Sequence, residues 1–409
     1  MLVAILSDLH LGFAYGSELE NDSFEMAEKA VEQALQADLV LLPGDIFDSR
    51  APRTSIFAKA IGILAKLLTT KDKGVRLVES DKEIPKVCRR CFAATPLLSL
   101  YGNHERKGRG EINPVDALER AGILLNLDAN RIVVEKDGER IAIQGMSNVP
   151  ERFAREKLVR WNPKPVEGCF NILMLHQSIH PYVFSPLDPP TLSLQNLPFG
   201  FDLIVNGHVH QPVLDKIGRT SFVIPGSTCI TQFEKVEAET KKGIYLLDTK
   251  LNKLEFLPLD GRRFFYEEVE LDSSKPFGLQ VEEKLLSILS EEFDKRPLVR
   301  MKLVGEEEKI LDPELRRIER KFAEKAILSF VKEVKSKEIA EKLEFLRGLR
   351  EQRLSLEQIG MNLLKKNLEE LGFDFSTITP EKLFSLLEES SEKAFQILAG
   401  KQLTLDWLR

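Results

Sequence analysis

Short apolar runs of strand length recur through the first 260 residues: VAILS (3–7), DLVLLPG (38–44), PLLSLYG (96–102), NILML (171–175) and DLIVNG (202–207). Between the early ones lie stretches with helical spacing of apolar positions, 23–36 and 54–68. Strands that alternate with helices predict α/β organisation around a central sheet. Further strand-like runs at 131–135, 140–145, 213–217, 221–225, 243–248 and 253–257 have hairpin spacing and predict a second, more antiparallel sheet. Residues 69–95 are rich in charge and lack periodicity, which predicts a surface excursion.

Near residue 262 the pattern changes. FFYEEVEL reads as a strand, KPFGLQVEEKLLSILSEEF as strand entry and helix, PLVRMKLVG as a strand, PELRRIERKF as a helix and AILSFVKEV as a strand, a small α/β module ending near 336. Beyond it only helical spacing remains. LSLEQIGMNLLKKNLEEL stops at Gly372, and Thr379-Pro380-Glu381 opens a second helix with proline at its first position. Leu383, Phe384, Leu387, Ala394, Phe395 and Leu398 line one side of that helix, for a partner or for packing within the chain. The expected domains are 1–261, 262–336 and 337–409.

Composition narrows the function classes. Hydrophobic residues make up 43% of the 409, ample for a core, and the net charge of −6 offers no global basic field. A polyanion would have to be held by local cations or bound metal. Four cysteines (Cys88, Cys91, Cys169, Cys229) make no disulfide framework, and Cys88-Arg-Arg-Cys91 lacks a second pair at zinc-finger spacing. Reduced thiols are expected there. MLVAILSDLHLG reads as a core strand rather than a signal peptide, and no apolar stretch is long enough to span a bilayer, so a cytoplasmic protein without membrane contact is expected.

The candidate chemistry sits where the strands end. Asp8 and His10 follow the first run, Asp45 and Asp48 the second, Asn103, His104 and Glu105 the third, His176 the fourth, and His208 and His210 the fifth. In open α/β sheets the functional crevice lies outside the carboxyl ends of the strands, so these groups can converge. His208 and His210, two apart in extended chain, project to one side. No cysteine stands among them, which excludes a thiolate zinc site. Imidazole, carboxylate and amide oxygen together suit manganese, iron or zinc in an open catalytic site. Seven potential ligands among these groups would exceed one ion and fit two that share a carboxylate.

The series Asp-x-His, Gly-Asp-x-x-Asp, Gly-Asn-His-Glu, a single His and Gly-His-x-His resembles the calcineurin-like metallophosphoesterases, over residues 1 to about 260. The resemblance implies a two-sheet sandwich flanked by helices. It implies one ion held by Asp8, His10 and His210, another by Asn103, His176 and His208, and Asp45 between them. His104 takes the place of the family's catalytic histidine, and Asp48 that of its orienting partner. Two departures stand out: Glu105 replaces the usual aspartate, and Asp48-Ser49-Arg50 replaces the Asp-Arg-Gly of protein phosphatases.

With its α/β cap and terminal helical pair, the chain resembles more closely the nuclease subunit of the double-strand-break repair complex, the SbcD family and its archaeal and eukaryotic counterparts. That resemblance implies a manganese-dependent nuclease, exonuclease and single-strand endonuclease, acting on DNA ends. It also implies a homodimer whose terminal helix-loop-helix grips the coiled coil of an SMC-like ATPase. Asp48 stands where archaeal and eukaryotic members commonly carry histidine. Arg50, Arg53, Arg106, Lys107 and Arg109 flank the candidate ligands and are expected to contact the phosphate backbone. Two other readings of the same core are a small-molecule phosphodiesterase or nucleotidase and a non-catalytic scaffold. The scaffold would leave a costly cluster of uncompensated buried carboxylates and imidazoles.

Overall fold

The computed structural model describes residues 1–108, 110–183, 192–272, 274–305, 311–334 and 379–389, with positions 361, 364 and 365. Strands Leu2–Ile5, Leu39–Pro43 and Leu97–Leu100 pair in parallel, with Leu125–Asn126 beyond the last. The hairpin Gly243–Asp248/Lys253–Pro258 adds to Leu2–Ile5 in antiparallel fashion and completes a six-stranded sheet. The second sheet has seven strands, in the order Val213–Ile217, Thr220–Ile224, Leu203–Asn206, Phe170–Leu175, Glu139–Met146, Asn130–Lys136 and Arg76–Ser80.

Alternation along the strands explains the layering. Val3, Ile5, Leu39, Leu41 and Leu98 face Ile132, Ile143, Ile172, Met174 and Val205 in the core between the sheets. The opposite-parity residues Ala4, Val40 and Leu42 pack beneath helices Asp22–Ala34 and Thr54–Leu64, through Ala27, Ala30, Val31, Ala60 and Leu64. On the far side Leu173, Ile204 and Phe222 meet Ala154 and Leu158 of helix Glu151–Trp161. The result is an α/β sandwich of two sheets flanked by helices.

Two expectations are corrected. The hairpin at 243–258 joins the first sheet, and the second sheet is mixed, with Phe170–Leu175 and Leu203–Asn206 parallel at its centre. Local periodicity records burial, not which sheet does the burying. The excursion at 69–95 holds the edge strand Arg76–Ser80, paired antiparallel with Asn130–Lys136, and a 3-10 turn Cys88–Ala93. Its charged, exposed side chains suit a sheet edge and conceal the strand from a periodicity reading.

By internal contacts, Met1–Leu303 with Leu311–Lys332 form one unit, and Val304–Ile310 with Glu333–Arg409 another. A three-stranded sheet, in the order Phe264–Glu270, Leu298–Gly305, Ile327–Val334, carries helices Phe277–Ile288 and Asp312–Phe322. The predicted helix 354–371 lies outside the described residues but for three positions. The second terminal helix is described over Pro380–Glu389 only, with Leu383 buried. No described helix is long and apolar enough to cross a membrane.

A candidate metal centre at the strand ends

The carboxyl ends of the central parallel strands of both sheets open on one place. Among the described residues nine non-glycines have positive φ, and four of them are Asp8 (53°), His10 (45°), Asp45 (49°) and His208 (79°). Such backbone costs about 1–3 kcal/mol per residue and persists where the surroundings impose it, commonly at functional sites. Hydrogen bonds between the loops impose it here: Asp8 N–H donates to Gly44 O at 3.2 Å, and His10 N–H to Asp45 O at 3.1 Å. Gly102 is obligatory, because a Cβ there would collide with the Asp45 carboxylate.

All seven predicted ligands are brought together. Asp8, His10 and His210 form one group of facing ligand atoms, and Asp45, His176 and His208 form another. Asp45 also groups with His10 and His104, so its carboxylate adjoins both. His10 Nε2 lies 3.0 Å from His210 Nε2. His176 Nε2 is 3.2 Å from both Asp45 Oδ2 and Asn103 Oδ1, and His208 Nδ1 is 2.9 Å from Asn103 Oδ1. Asp8, His10, Asp45, His176 and His210 are buried.

Hydrogen bonds behind the candidate ligands orient their rings. His176 Nδ1 donates to Pro43 O at 2.6 Å, which turns Nε2 towards Asp45 and Asn103. His210 Nδ1 meets Thr231 Oγ1 at 2.7 Å, and His208 Nε2 meets Ser178 Oγ at 3.0 Å. A buried ion pair braces the first of these. Lys242 Nζ donates to His210 O, Ser227 Oγ and Glu237 Oε1, while Glu237 accepts from the N–H groups of Thr231 and Gln232. Thr231, Ser178 and Lys242 carry no signal in the sequence, since each acts through a fold contact with a histidine distant along the chain.

The electrostatics suit cations. Burial alone would raise the Asp45 carboxyl, yet the imidazoles around it, His176 foremost, hold it well below the usual range. Burial pushes His208, next to His176, down to about 3 and pushes His210 down as well, whereas the neighbouring carboxylates outweigh burial at His176, raised to about 9, and at His10. Asp8 Oδ2 and Asp45 Oδ2 are buried without an aligned hydrogen-bond donor. Uncompensated buried carboxylate oxygens are costly, and a cation between the two groups supplies what they lack. The residues fit divalent ions.

Asp48 and Glu105 brace the candidate centre. Asp48 Oδ1 is 3.1 Å from His10 Nδ1 and 3.6 Å from His104 Nδ1, while His104 Nδ1 donates to the Asp48 backbone carbonyl at 3.0 Å. The carboxylate supports His10, and the main chain holds His104, because the turn at 45–48 brings the carbonyl nearer. Glu105 is a tight brace. Fully buried, it accepts from Phe47 N–H through Oε1 and from Gly102 N–H through Oε2, both at 2.9 Å.

Of the predicted backbone contacts, only Arg106 lines the cleft above the centre, where it is joined by Arg152, absent from the expectation. Arg53 lies over the Tyr15 ring, Lys107 is paired with Asp116, and Arg50 is exposed outside the cleft lining. Arg109 lies outside the described residues. The four cysteines are free, with Cys88 Sγ donating to Glu119 O and Cys91 Sγ to Gly122 O.

Residues 1–212, more than half of the chain, match the calcineurin-like phosphoesterases, and the chain belongs to that family. The family's chemistry implies divalent metal ions. The chain is 27% identical over 306 residues to the double-strand break repair protein MRE11 of Encephalitozoon cuniculi, covering 69% of this chain and 50% of that one. It is 26% identical over 313 residues to the DNA double-strand break repair protein Mre11 of Thermoplasma acidophilum, covering 73% and 76%. It thus spans about half the length of the first of these relatives. Among solved structures, a putative 5′-nucleotidase from Staphylococcus aureus aligns over 63% of this chain and 52% of its own at 15% identity and a TM-score of 0.35.

Proposed function

We propose that the protein is a manganese-dependent DNA nuclease, a 3′–5′ exonuclease and single-strand endonuclease, that processes DNA ends in double-strand-break repair. The observation that carries the reading is the set of facing ligand groups that meet at Asp45, together with a buried Asp8 oxygen that no hydrogen-bond donor satisfies. The similarity to break-repair proteins supports DNA as the substrate, because it runs over more than 300 residues, past the 212 that match the family at large.

Asp8, His10 and His210 would hold one ion and Asn103, His176 and His208 the other, with Asp45 serving both. Two ions so held would supply Lewis acidity for activating water and neutralising charge on the phosphate. The chain does the rest. Asp48 fixes the His10 ring, and Pro43, Ser178 and Thr231 fix the other three. His104 has Nδ1 engaged by a carbonyl, so Nε2 is the nitrogen that would protonate the leaving oxygen. Arg106 and Arg152 would hold flanking phosphates.

The division into nuclease domain (1–261), cap (262–336) and partner-binding helices (337–409), the homodimer and the SMC-like ATPase partner belong to the same proposal. The test is digestion of end-labelled duplex and single-stranded DNA with manganese, beside cyclic nucleotides and phosphopeptides. Progressive shortening of DNA with inert small substrates is expected. Hydrolysis of the small substrates alone would favour a nucleotidase.

A further inference from the structure

A cleft of about 700 Å³ lies over the candidate metal centre, lined by imidazoles, carboxylates, amides and two arginines together with the aliphatic Val149 and Pro150. The polar groups suffice for a phosphodiester, and the aliphatic side chains offer no flat surface to a base. Yet the lining also includes the aromatic ring of Phe13, three residues after His10. Phe13 N–H donates to His10 O at 2.9 Å, so the ring is one turn of chain away from a candidate ligand.

The ring is held from behind. Phe13 meets Phe233 in a T-shaped contact, centroids 6.3 Å apart, which occupies at most one of its two faces. Phe233 lies 6.0 Å from Phe264, and the Arg300 guanidinium stands 5.9 Å over its ring. Phe233 also packs on a small apolar cluster of Leu19, Phe264 and Leu298. Phe264 begins the three-stranded sheet and Arg300 lies on its middle strand, so that sheet helps to fix the position of Phe13.

We propose that Phe13 is a nucleobase platform: it stacks the unpaired base of the nucleotide whose phosphate reaches the metal centre. The proposal rests on the DNA reading above and narrows it to an unstacked strand, since a base within a duplex has both faces covered. Stacking on an aromatic ring tolerates any base because every base has a π-face. The site would therefore select strand ends and unpaired segments without reading sequence.

The test is a cycle of two changes, Phe13→Ala and removal of the base at the scissile nucleotide of a single-stranded oligonucleotide. Wild type should prefer the thymine-bearing over the abasic substrate in kcat/KM by about ten- to a hundredfold, the size expected for one base–aromatic stack. In Phe13→Ala that ratio should fall towards one, and Phe13→Trp should restore it. A hydrolysis-resistant oligonucleotide with 2-aminopurine at the same position should be quenched on binding to wild type and to Phe13→Trp, and not to Phe13→Ala. An unchanged ratio in Phe13→Ala, or an equal loss on both substrates, overturns the platform while DNA cleavage stands. Wild type that cleaves a small phosphodiester and neither oligonucleotide overturns the DNA reading, and the platform with it.

Discussion

His10 Nε2 and His210 Nε2, 200 residues apart in sequence, face each other across 3.0 Å in the protein interior. The Nδ1 atoms of both rings are engaged behind, His10 by Asp48 and His210 by Thr231. Two imidazole nitrogens cannot point lone pairs at each other without a proton or a cation between them. Asp8, which completes this group, has an orphaned oxygen. A cation resolves all three at once, and the remaining expectations follow from it.

Asp48→Asn should weaken metal binding rather than act only on turnover. Its carboxylate fixes the His10 ring and raises its basicity, and removing such a partner typically costs about ten- to a hundredfold in metal affinity. Calorimetric titration with manganese should show one weakened site. His104, held through the Asp48 carbonyl, keeps its place. Unchanged affinity with a shifted pH–rate profile would return Asp48 to the role of orienting His104.

His104→Ala should behave in the opposite way. With both ions bound at wild-type affinity, turnover should drop by about a hundred- to ten-thousandfold, the usual range for a general acid. Metal analysis and kinetics on the same preparation separate the two effects. Loss of an ion in this variant would make His104 a ligand.

Glu105→Ala should destabilise the metal-free protein by about 1–3 kcal/mol, because the buried N–H groups of Phe47 and Gly102 lose their acceptor. Urea denaturation in chelator measures this. No change in midpoint would mean that the two loops hold together without the brace.

Cys88, Cys91 and Cys229 should resist thiol reagents at pH 8 in the folded protein. Burial pushes Cys88 up to about 11 and Cys91 and Cys229 up to about 12. The thiolate is the reactive form, and at these values it is on the order of a thousandth or less of the total. Disulfide-reagent labelling should be slow until denaturant is added, and rapid native labelling of these three would contradict their burial.

The convergence of the candidate ligands was legible in the sequence because each stands at the exit of a strongly apolar strand, where local pattern and chemistry coincide. What was not legible depends on contacts across the fold. Thr231 has no motif, and it matters only because Lys242 and Glu237 bring its loop to His210. The strand Arg76–Ser80 was missed because an edge strand with charged, exposed side chains has no apolar alternation. The motif placed Asp48 beside His104, and its carboxylate lies 3.6 Å from that ring; the closer approach to His10, 3.1 Å, arises between loops distant in sequence and has no local signal.

The central claim is that two ions share this centre, and that the adjacent histidines of Gly-His-x-His serve different ions. Metal content per chain, measured after reconstitution and desalting, tests it most directly. Wild type should hold two ions, and His208→Ala and His210→Ala should each hold one, with the double variant holding fewer still. Two ions retained in either single variant, or a single ion in wild type, would contradict it.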